Sequence, residues 1–189
     1  IPTMVTLIKK SIYEILKILK QRYKNMYDYI AENIEISEYS KEQVNHDAPG
    51  RLNIEKRKKK LVEVVADAKV VLLNTNFIGM DDELYSKVEM LDRILQEHIT
   101  RDKNGNIREM DKTERPKDII VSPIDPDARY GAKSKTKKFY GYKANVTETV
   151  KSRFITNIRA IPGNAGDGCI TSEMVIEQKY HDIIPEKLV

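Results

Sequence analysis

The sequence has one cysteine in 189 residues and no long hydrophobic run. A single thiol, Cys169, excludes an intramolecular disulfide framework and a cysteine-rich zinc site. No apolar run approaches the ~20 residues that a membrane span needs, and the N-terminus lacks the pattern of a signal peptide. These absences predict a cytoplasmic protein in a reducing compartment, with no membrane partner. The histidines are far apart, and each is expected at the surface: His46, His98 and His181.

Glycine is also scarce, and its distribution divides the chain. Five of the eight glycines lie between Gly131 and Gly168, and the pattern of apolar and polar residues changes near Arg115. Residues 1–115 have helical periodicity, whereas residues 116–189 alternate in the manner of strands. We therefore predict an α+β fold, with an antiparallel helical bundle in the first part and a β-hairpin or small sheet with one helix in the second.

The helical part contains three amphipathic segments. Apolar residues three or four apart over 7–33 predict one long helix that is capped by Thr3. A second helix is expected over 52–75. A third begins at Asp81, with acids at the positive end of the helix dipole, and ends before the turn residues 102–105. Three such helices need partners, which predicts a bundle.

The second part contains short strands and one helix. Alternation over 139–146 and again over 153–161 predicts two strands, and the short polar link between them makes an antiparallel hairpin. The apolar run Ile-Ile-Val at 119–121 predicts another short strand. A helix is expected over 170–180, with Asp167 as its cap.

Positive charge is concentrated in one window of the chain. The formal net charge is +4, but residues 128–160 contain nine basic residues and one acid, so this window carries +8 and the rest −4. Its densest part, residues 133–138, is predicted to be a loop and is followed by Phe139, Tyr140 and Tyr142. Basic residues interleaved with aromatics suit a phosphate backbone and stacked bases. A solvated loop beside ordinary strand aromatics is the alternative.

A second basic cluster and one acidic motif also have structural interpretations. Residues 56–60 are all basic and lie at the start of a helix, where positive charge opposes the dipole. A solvated helix face is favoured there over phosphate contact. Asp125 and Asp127 could supply two oxygen ligands to Mg²⁺, although Asx-turns or an ion pair with Arg129 are favoured.

Several stretches resemble a known family. The string S-P-I-D-P-D-A-R-Y-G-A-K-S-K-T-K-K-F-Y-G-Y-K lies within residues 120–143, and I-P-G-N-A-G-D-G spans 161–168. With I-T at 155–156, these stretches resemble bacterial insertion-sequence transposases of the DDE class. I-P-T at 1–3 matches the segment that follows the family's first strand. The resemblance covers nearly the whole chain, strongly over 116–168 and weakly in the middle.

The resemblance implies a ribonuclease-H-like fold, of which this chain would hold a partial sheet. The family's catalytic centre uses two aspartates and a glutamate to hold two Mg²⁺ ions, which activate a water or a DNA 3′-hydroxyl for attack on a phosphodiester. In this alignment the first aspartate precedes Ile1 and the second follows Val189. The chain is then expected to be a fragment or remnant of a transposase that holds no catalytic residue and no cofactor, and is inactive alone.

The resemblance also implies how DNA is bound. Basic positions of the motif are expected to contact the DNA backbone, whereas Asp125 and Asp127 are assigned to positioning rather than to metal. The expected DNA-binding residues are Arg129, Lys133, Lys135, Lys137, Lys138 and Lys143. Two alternatives stay open. One is a non-enzymatic helical interaction module that forms a homodimer through exposed helices or strand edges, and the other is an active nuclease that uses the two aspartates.

Overall fold

The computed structural model describes residues 3–41, 43, 53–75 and 81–183. Over these residues the chain has five α-helices and two small antiparallel sheets, so the predicted α+β class is confirmed. It divides by packing into two compact units, Ile1–Pro126 and Asp127–Val189. The division falls after the change of pattern near Arg115, because Ile120 belongs to the core of the first unit.

The described part of the first unit includes four α-helices, and two of them begin at a capping side chain. The helices are α1 (Met4–Arg22), α2 (Lys24–Asn33), α3 (Ile54–Thr75) and α4 (Asp82–His98), with a 3₁₀ turn at Ile36–Tyr39. The side chain of Thr3 accepts a hydrogen bond from the Thr6 amide at 3.2 Å. Asp81 accepts one from the Leu84 amide at 2.9 Å. Both caps satisfy amides that have no partner inside their helices, and both confirm the predicted helix starts.

The prediction of one unbroken helix over 7–33 is wrong. The helix breaks at Tyr23, whose φ of −131° and ψ of 57° are not helical. The Tyr23 hydroxyl donates to Asp81 Oδ2 and accepts from the Asp81 amide, both at 3.0 Å. Arg22 also donates to Asp81 at 3.1 Å. The break therefore coincides with a contact to a residue far along the chain, which apolar periodicity cannot reveal.

The core of the first unit forms around α1. Twelve of its nineteen residues are buried, and it packs against α2, α3 and α4. The apolar stripes of α3 and α4 meet it there, with Ala68, Val71, Leu91 and Ile94 fully buried. Burial of a side chain of the size of Leu or Ile contributes about 1.5–3 kcal/mol, so this stripe is a major source of the stability of the unit. Among the described helices, none is both long enough and apolar enough to cross a bilayer.

A small hairpin follows α4 directly. Strands β1 (Ile99–Arg101) and β2 (Ile107–Glu109) pair antiparallel. Between them, Asp102 Oδ1 accepts from the amides of Asn104 and Asn106, both at 2.8 Å, which confirms a turn there. Three-residue strands are too short to show an alternation, so the sequence predicted the turn and missed its strands.

Residues 119–121 do not form the predicted strand. Ile120 is fully buried, but its backbone is bound by two side chains of α4 instead of a neighbouring strand. Its amide donates to Glu97 Oε2 at 2.7 Å, and its carbonyl oxygen lies 2.8 Å from His98 Nε2. The buried polar groups are thereby satisfied without a ladder. We call this arrangement the Ile120 clamp.

The same clamp overturns the expectation that every histidine is at the surface. His98 is buried, and burial is the main cause that lowers the pKa of its imidazole. The neutral imidazole donates from Nε2 to the Ile120 carbonyl. Of the other histidines, His181 is exposed as expected, whereas His46 lies outside the described residues.

The second unit is a three-stranded antiparallel sheet with one helix. Its strands are β3 (Arg129–Ala132), β4 (Lys138–Glu148) and β5 (Ile155–Pro162), in the order β3-β4-β5, and its helix is α5 (Thr171–Tyr180). The predicted β4–β5 hairpin and the predicted helix are confirmed, whereas β3 was missed. Gln178 of α5 donates to Thr147 at 2.6 Å and to Thr156 at 2.5 Å, which fixes the helix on one face of the sheet.

Two glycines allow the sheet to pack closely on that face. A Cβ atom on Gly131 would lie 2.6 Å from the Gly163 carbonyl oxygen and closer still to the Phe139 ring. The carbonyl oxygen belongs to the backbone and cannot move without shifting the chain, so alanine at position 131 overpacks this site. By contrast, a Cβ atom on Gly166 would meet open space.

Gly131→Ala is therefore expected to destabilise the second unit by about 1–3 kcal/mol, as overpacking does in cores. The matched control is Gly166→Ala, which is expected to leave stability nearly unchanged. Urea unfolding followed by circular dichroism measures both. Equal midpoints for the two variants would contradict the close approach at Gly131.

Candidate nucleic-acid interface

The densest part of the basic window forms an ordered turn between two strands. Residues 133–137 connect β3 to β4 and are all exposed. The Lys133 amide donates to the Lys137 carbonyl oxygen at 2.8 Å and closes the turn. The Ser134 hydroxyl accepts from the amides of Thr136 at 3.3 Å and Lys137 at 3.0 Å. We call residues 133–138 the lysine loop. Its backbone is held by its own hydrogen bonds, which leaves its lysine side chains available to solvent.

Four cations lie within this short loop. Lys133, Lys135, Lys137 and Lys138 are exposed, and no acid occurs in the sequence from Ala128 to Thr147. Like charges held so close together repel one another and contribute nothing to folding. Their combined field attracts anions, and repeated phosphates are the anions that a row of lysines fits best. The structure thus brings together four of the six predicted DNA-binding residues.

The other two predicted residues have contacts inside the unit. Lys143 is half-buried on β4, and its Nζ donates to the Ala165 carbonyl and to Asp167 Oδ1, both at 2.8 Å. Asp167 therefore binds Lys143 and does not cap α5, which begins without a side-chain cap. Arg129 is half-buried at the start of β3 and donates to the Ala128 carbonyl at 3.1 Å. Both residues support the sheet that carries the lysine loop.

Elsewhere in the window, cations are neutralised by nearby acids. Arg153 binds Glu148 across the β4–β5 connection, and Arg159 of β5 binds Glu177 of α5. Both pairs are largely exposed, so each contributes little to stability. Glu148 is already counted in the net charge of the window, and Glu177 offsets one further positive charge. The excess charge is consequently concentrated on the lysine loop.

Aromatic side chains lie beside the lysine loop. Tyr130 of β3 pairs with Tyr140 of β4 in the register, and their ring centroids are 5.5 Å apart at 65°. Lys138 Nζ lies 6.0 Å from the centroid of the Tyr130 ring. Tyr142 is two residues further along β4 and is exposed. The sequence indicated Tyr140 and Tyr142 but missed Tyr130, since only the pairing of β3 places it here.

Phe139 is the exception among the predicted aromatics. It packs over Gly131 and Gly163, on the opposite side of β4 from Tyr140. Its ring is therefore part of the packing of the unit and is not available to a ligand. Successive side chains of a strand point to opposite faces, so Phe139 and Tyr140 lie on different faces of the sheet.

The acidic motif, Asp125 and Asp127, lies in the irregular segment before β3. The Asp125 amide donates to the Ser122 hydroxyl at 3.2 Å, so the Ser122 side chain helps to form the local turn. Among the residues that the structure describes, no three carboxylate, imidazole or thiol groups come together to hold a metal ion.

The second basic cluster lies at the start of α3. Lys60 binds Glu38 at 2.8 Å and Glu63 at 3.4 Å, and its side chain is mostly buried. Lys56, Lys58 and Lys59 are exposed. One member of the cluster therefore stabilises the fold, and the others form a solvated helix face with no aromatic side chain among them.

A shallow cavity on the second unit is a weaker candidate site. It has a volume of about 360 Å³ and is lined by residues of β5 and α5. Arg159 lines the cavity and is bound to Glu177. Other lining residues, such as Asn157 and Tyr180, contribute amide, hydroxyl and ring groups. Charge and exposure favour the lysine loop over this cavity.

No protein-family model, no curated protein and no solved structure matches the chain. The resemblance to transposases consequently depends on the residues of the motif alone.

Proposed function

We propose that this chain binds DNA through the lysine loop and the adjoining β3–β4 hairpin, as part of a transposase-type protein and without a complete catalytic triad. The observation that carries the proposal is the set of four exposed lysines on one hydrogen-bonded turn, in a stretch without acids. The motif over 120–143 supports the transposase part.

The chemistry of lysine determines what such a loop does. Each ammonium group is a flexible point charge that binds a phosphate without reading a base. Four of them on one turn position a nucleic-acid backbone against the sheet. The expected binding is therefore largely independent of sequence and strongly dependent on salt.

The test is the salt dependence of DNA binding by the intact chain. Four phosphate contacts give a slope of log K against log salt of about −3.6 on duplex DNA. The affinity should then fall about 150-fold between 50 and 200 mM salt. Fluorescence anisotropy with a short labelled duplex measures this slope. Absence of binding at 50 mM, or binding that salt does not weaken, would show that the proposal is wrong.

A non-enzymatic interaction module is the second candidate function. It is favoured by exposed apolar side chains on α3, where Leu73 is 75% exposed and Val62 is exposed on the same side of the helix. The main apolar stripes of α1, α3 and α4 are, however, buried against one another. Sedimentation over a range of concentrations tests this candidate, which predicts a dimer whose stability does not depend on DNA.

A further inference from the structure

The sheet of the second unit has two faces of opposite character. The face toward α5 carries the polar residues Lys143, Asn145 and Thr147 together with Phe139 and the buried Ile161. The register places the other residues of β4 opposite residues of β5 on the second face, with Tyr142 opposite Pro162, Ala144 opposite Ala160 and Val146 opposite Ile158. We call this second face, together with Tyr130 and Tyr140, the open face.

The open face is apolar and exposed. Tyr142 is 44% exposed, Tyr130 is 38% exposed and Ile158 is 62% exposed. None of the residues that define the face is charged. Sheet faces of this kind are normally buried, and a contiguous exposed one marks a surface that binds something.

The position of the lysine loop indicates the class of ligand. The loop joins β3 to β4 at the end of the open face where the tyrosines cluster, and Lys138 lies against the Tyr130 ring. Val146 and Ile158 lie further along the strands, away from the loop. The aromatic part of the face is thus the part nearest to the phosphate-binding charges.

We propose that the open face binds unstacked bases of single-stranded DNA on Tyr130, Tyr140 and Tyr142, while the lysine loop holds the adjoining phosphates. Aromatic rings beside a basic groove bind single strands in this way, because every base has a face that can stack. Tyr140 and Tyr142 stand at alternate positions of β4, so they are about 7 Å apart along the strand. The inference rests on the proposed function and adds to it a preference for single strands.

Duplex DNA fits the open face poorly. Its bases are stacked inside the helix, so a duplex presents phosphates to the lysine loop and gains nothing from the tyrosines. A single strand gains from both. The intact chain should therefore bind a single strand more tightly than a duplex of equal length when salt is high enough to weaken the phosphate contacts.

The experiment compares oligothymidylate with a duplex, using fluorescence anisotropy and the intact chain. The double variant Tyr130→Leu with Tyr142→Leu keeps apolar side chains and removes two rings. It is expected to weaken single-strand binding about 10- to 100-fold. Duplex binding should change less than about twofold, because the phosphate contacts are retained. The matched control is Tyr85→Leu, an exposed tyrosine of α4, which should change neither affinity.

Two further variants distinguish a loss of binding from a loss of folding. Tyr142→Leu alone alters an exposed side chain and should still lower single-strand affinity severalfold. Tyr142→Phe keeps the ring and should bind as the unchanged chain does, because stacking requires the ring and not the hydroxyl. Circular dichroism confirms that each variant is folded.

The outcomes separate this inference from the proposed function. If the unchanged chain binds both DNAs and the leucine variants bind them equally well, the open face is not a base-binding surface, although DNA binding stands. If the unchanged chain binds neither DNA, both proposals fail. If the leucine variants lose only self-association, the occupant of the face is a second copy of the chain and the inference is wrong.

Discussion

Replacing Lys133, Lys135, Lys137 and Lys138 together by alanine is expected to weaken duplex binding at least a hundredfold at 50 mM salt. Four phosphate contacts account for a factor on the order of 10⁴ between 50 mM and 1 M salt, where the electrostatic contribution has nearly vanished. Their removal should also bring the slope of log K against log salt close to zero. Both quantities come from one anisotropy titration that is repeated at several salt concentrations.

The control variant removes the same number of positive charges from another part of the chain. Lys56, Arg57, Lys58 and Lys59 at the start of α3 can be replaced together by alanine. Each variant lowers the formal net charge from +4 to 0. The control should retain most of the affinity and most of the slope, because its cations lie on a helix of the first unit and the lysine loop is left unchanged. Equal losses in the two variants would show that net charge, and not the loop, determines binding.

The second large expected effect is a loss of stability when the carboxylate that binds a buried lysine is removed. Lys9 of α1 has a fully buried side chain, and its Nζ binds Glu38 Oε2 at 2.7 Å. Lys60 binds the same oxygen at 2.8 Å. The hydrogen bonds from Lys60 and Lys9 lower the pKa of the Glu38 carboxyl to about 2. One carboxylate therefore compensates two cations, one of which lies in the core.

Glu38→Gln is expected to destabilise the first unit by about 3 kcal/mol, because it removes the carboxylate that compensates a buried cation. This value is the lower end of the range for breaking a buried pair, since Glu38 itself stays 34% exposed. Urea unfolding at pH 7 measures the difference. The matched control is Glu114→Gln, since Arg108 also lowers the pKa of Glu114 to about 2 but both side chains are exposed. The control should cost much less, and equal costs would contradict the role of burial.

The same carboxyl gives the stability a pH dependence of known sign. The pKa of Glu38 is lower in the folded chain than its usual value of 4.5. The folded state therefore binds the proton less tightly than the unfolded state, and the contribution is fully present above about pH 4.5. It is lost as the pH falls from 4.5 toward 2. Glu38→Gln should lack this part of the acid destabilisation.

Local signals in the sequence predicted most helices and one hairpin. Thr3 and Asp81 are capping residues at the places where periodicity begins, and local hydrogen bonds are sufficient to form such caps. The alternation of β4 and β5 was likewise visible. The break at Tyr23 was not, because it depends on a hydrogen bond to Asp81, a contact between residues far apart in the chain.

The sequence likewise predicted only part of the candidate site. The lysines of the loop are consecutive or nearly so, and their exposure follows from their charge. The pairing of Lys143 with Asp167 was not visible, because it joins β4 to the segment between β5 and α5, 24 residues further along the chain. The place of Tyr130 was missed for a related reason, since β3 is four residues long and only its pairing with β4 puts the ring beside Tyr140.

The Ile120 clamp has a consequence for how the first unit opens. A strand within a ladder can fray one hydrogen bond at a time, but the backbone of Ile120 is held by two adjacent side chains of α4. Both contacts are lost together when the end of α4 unwinds. The exchange of the Ile120 amide hydrogen with solvent therefore reports one cooperative opening event, and its rate gives the free energy of that event separately from global unfolding.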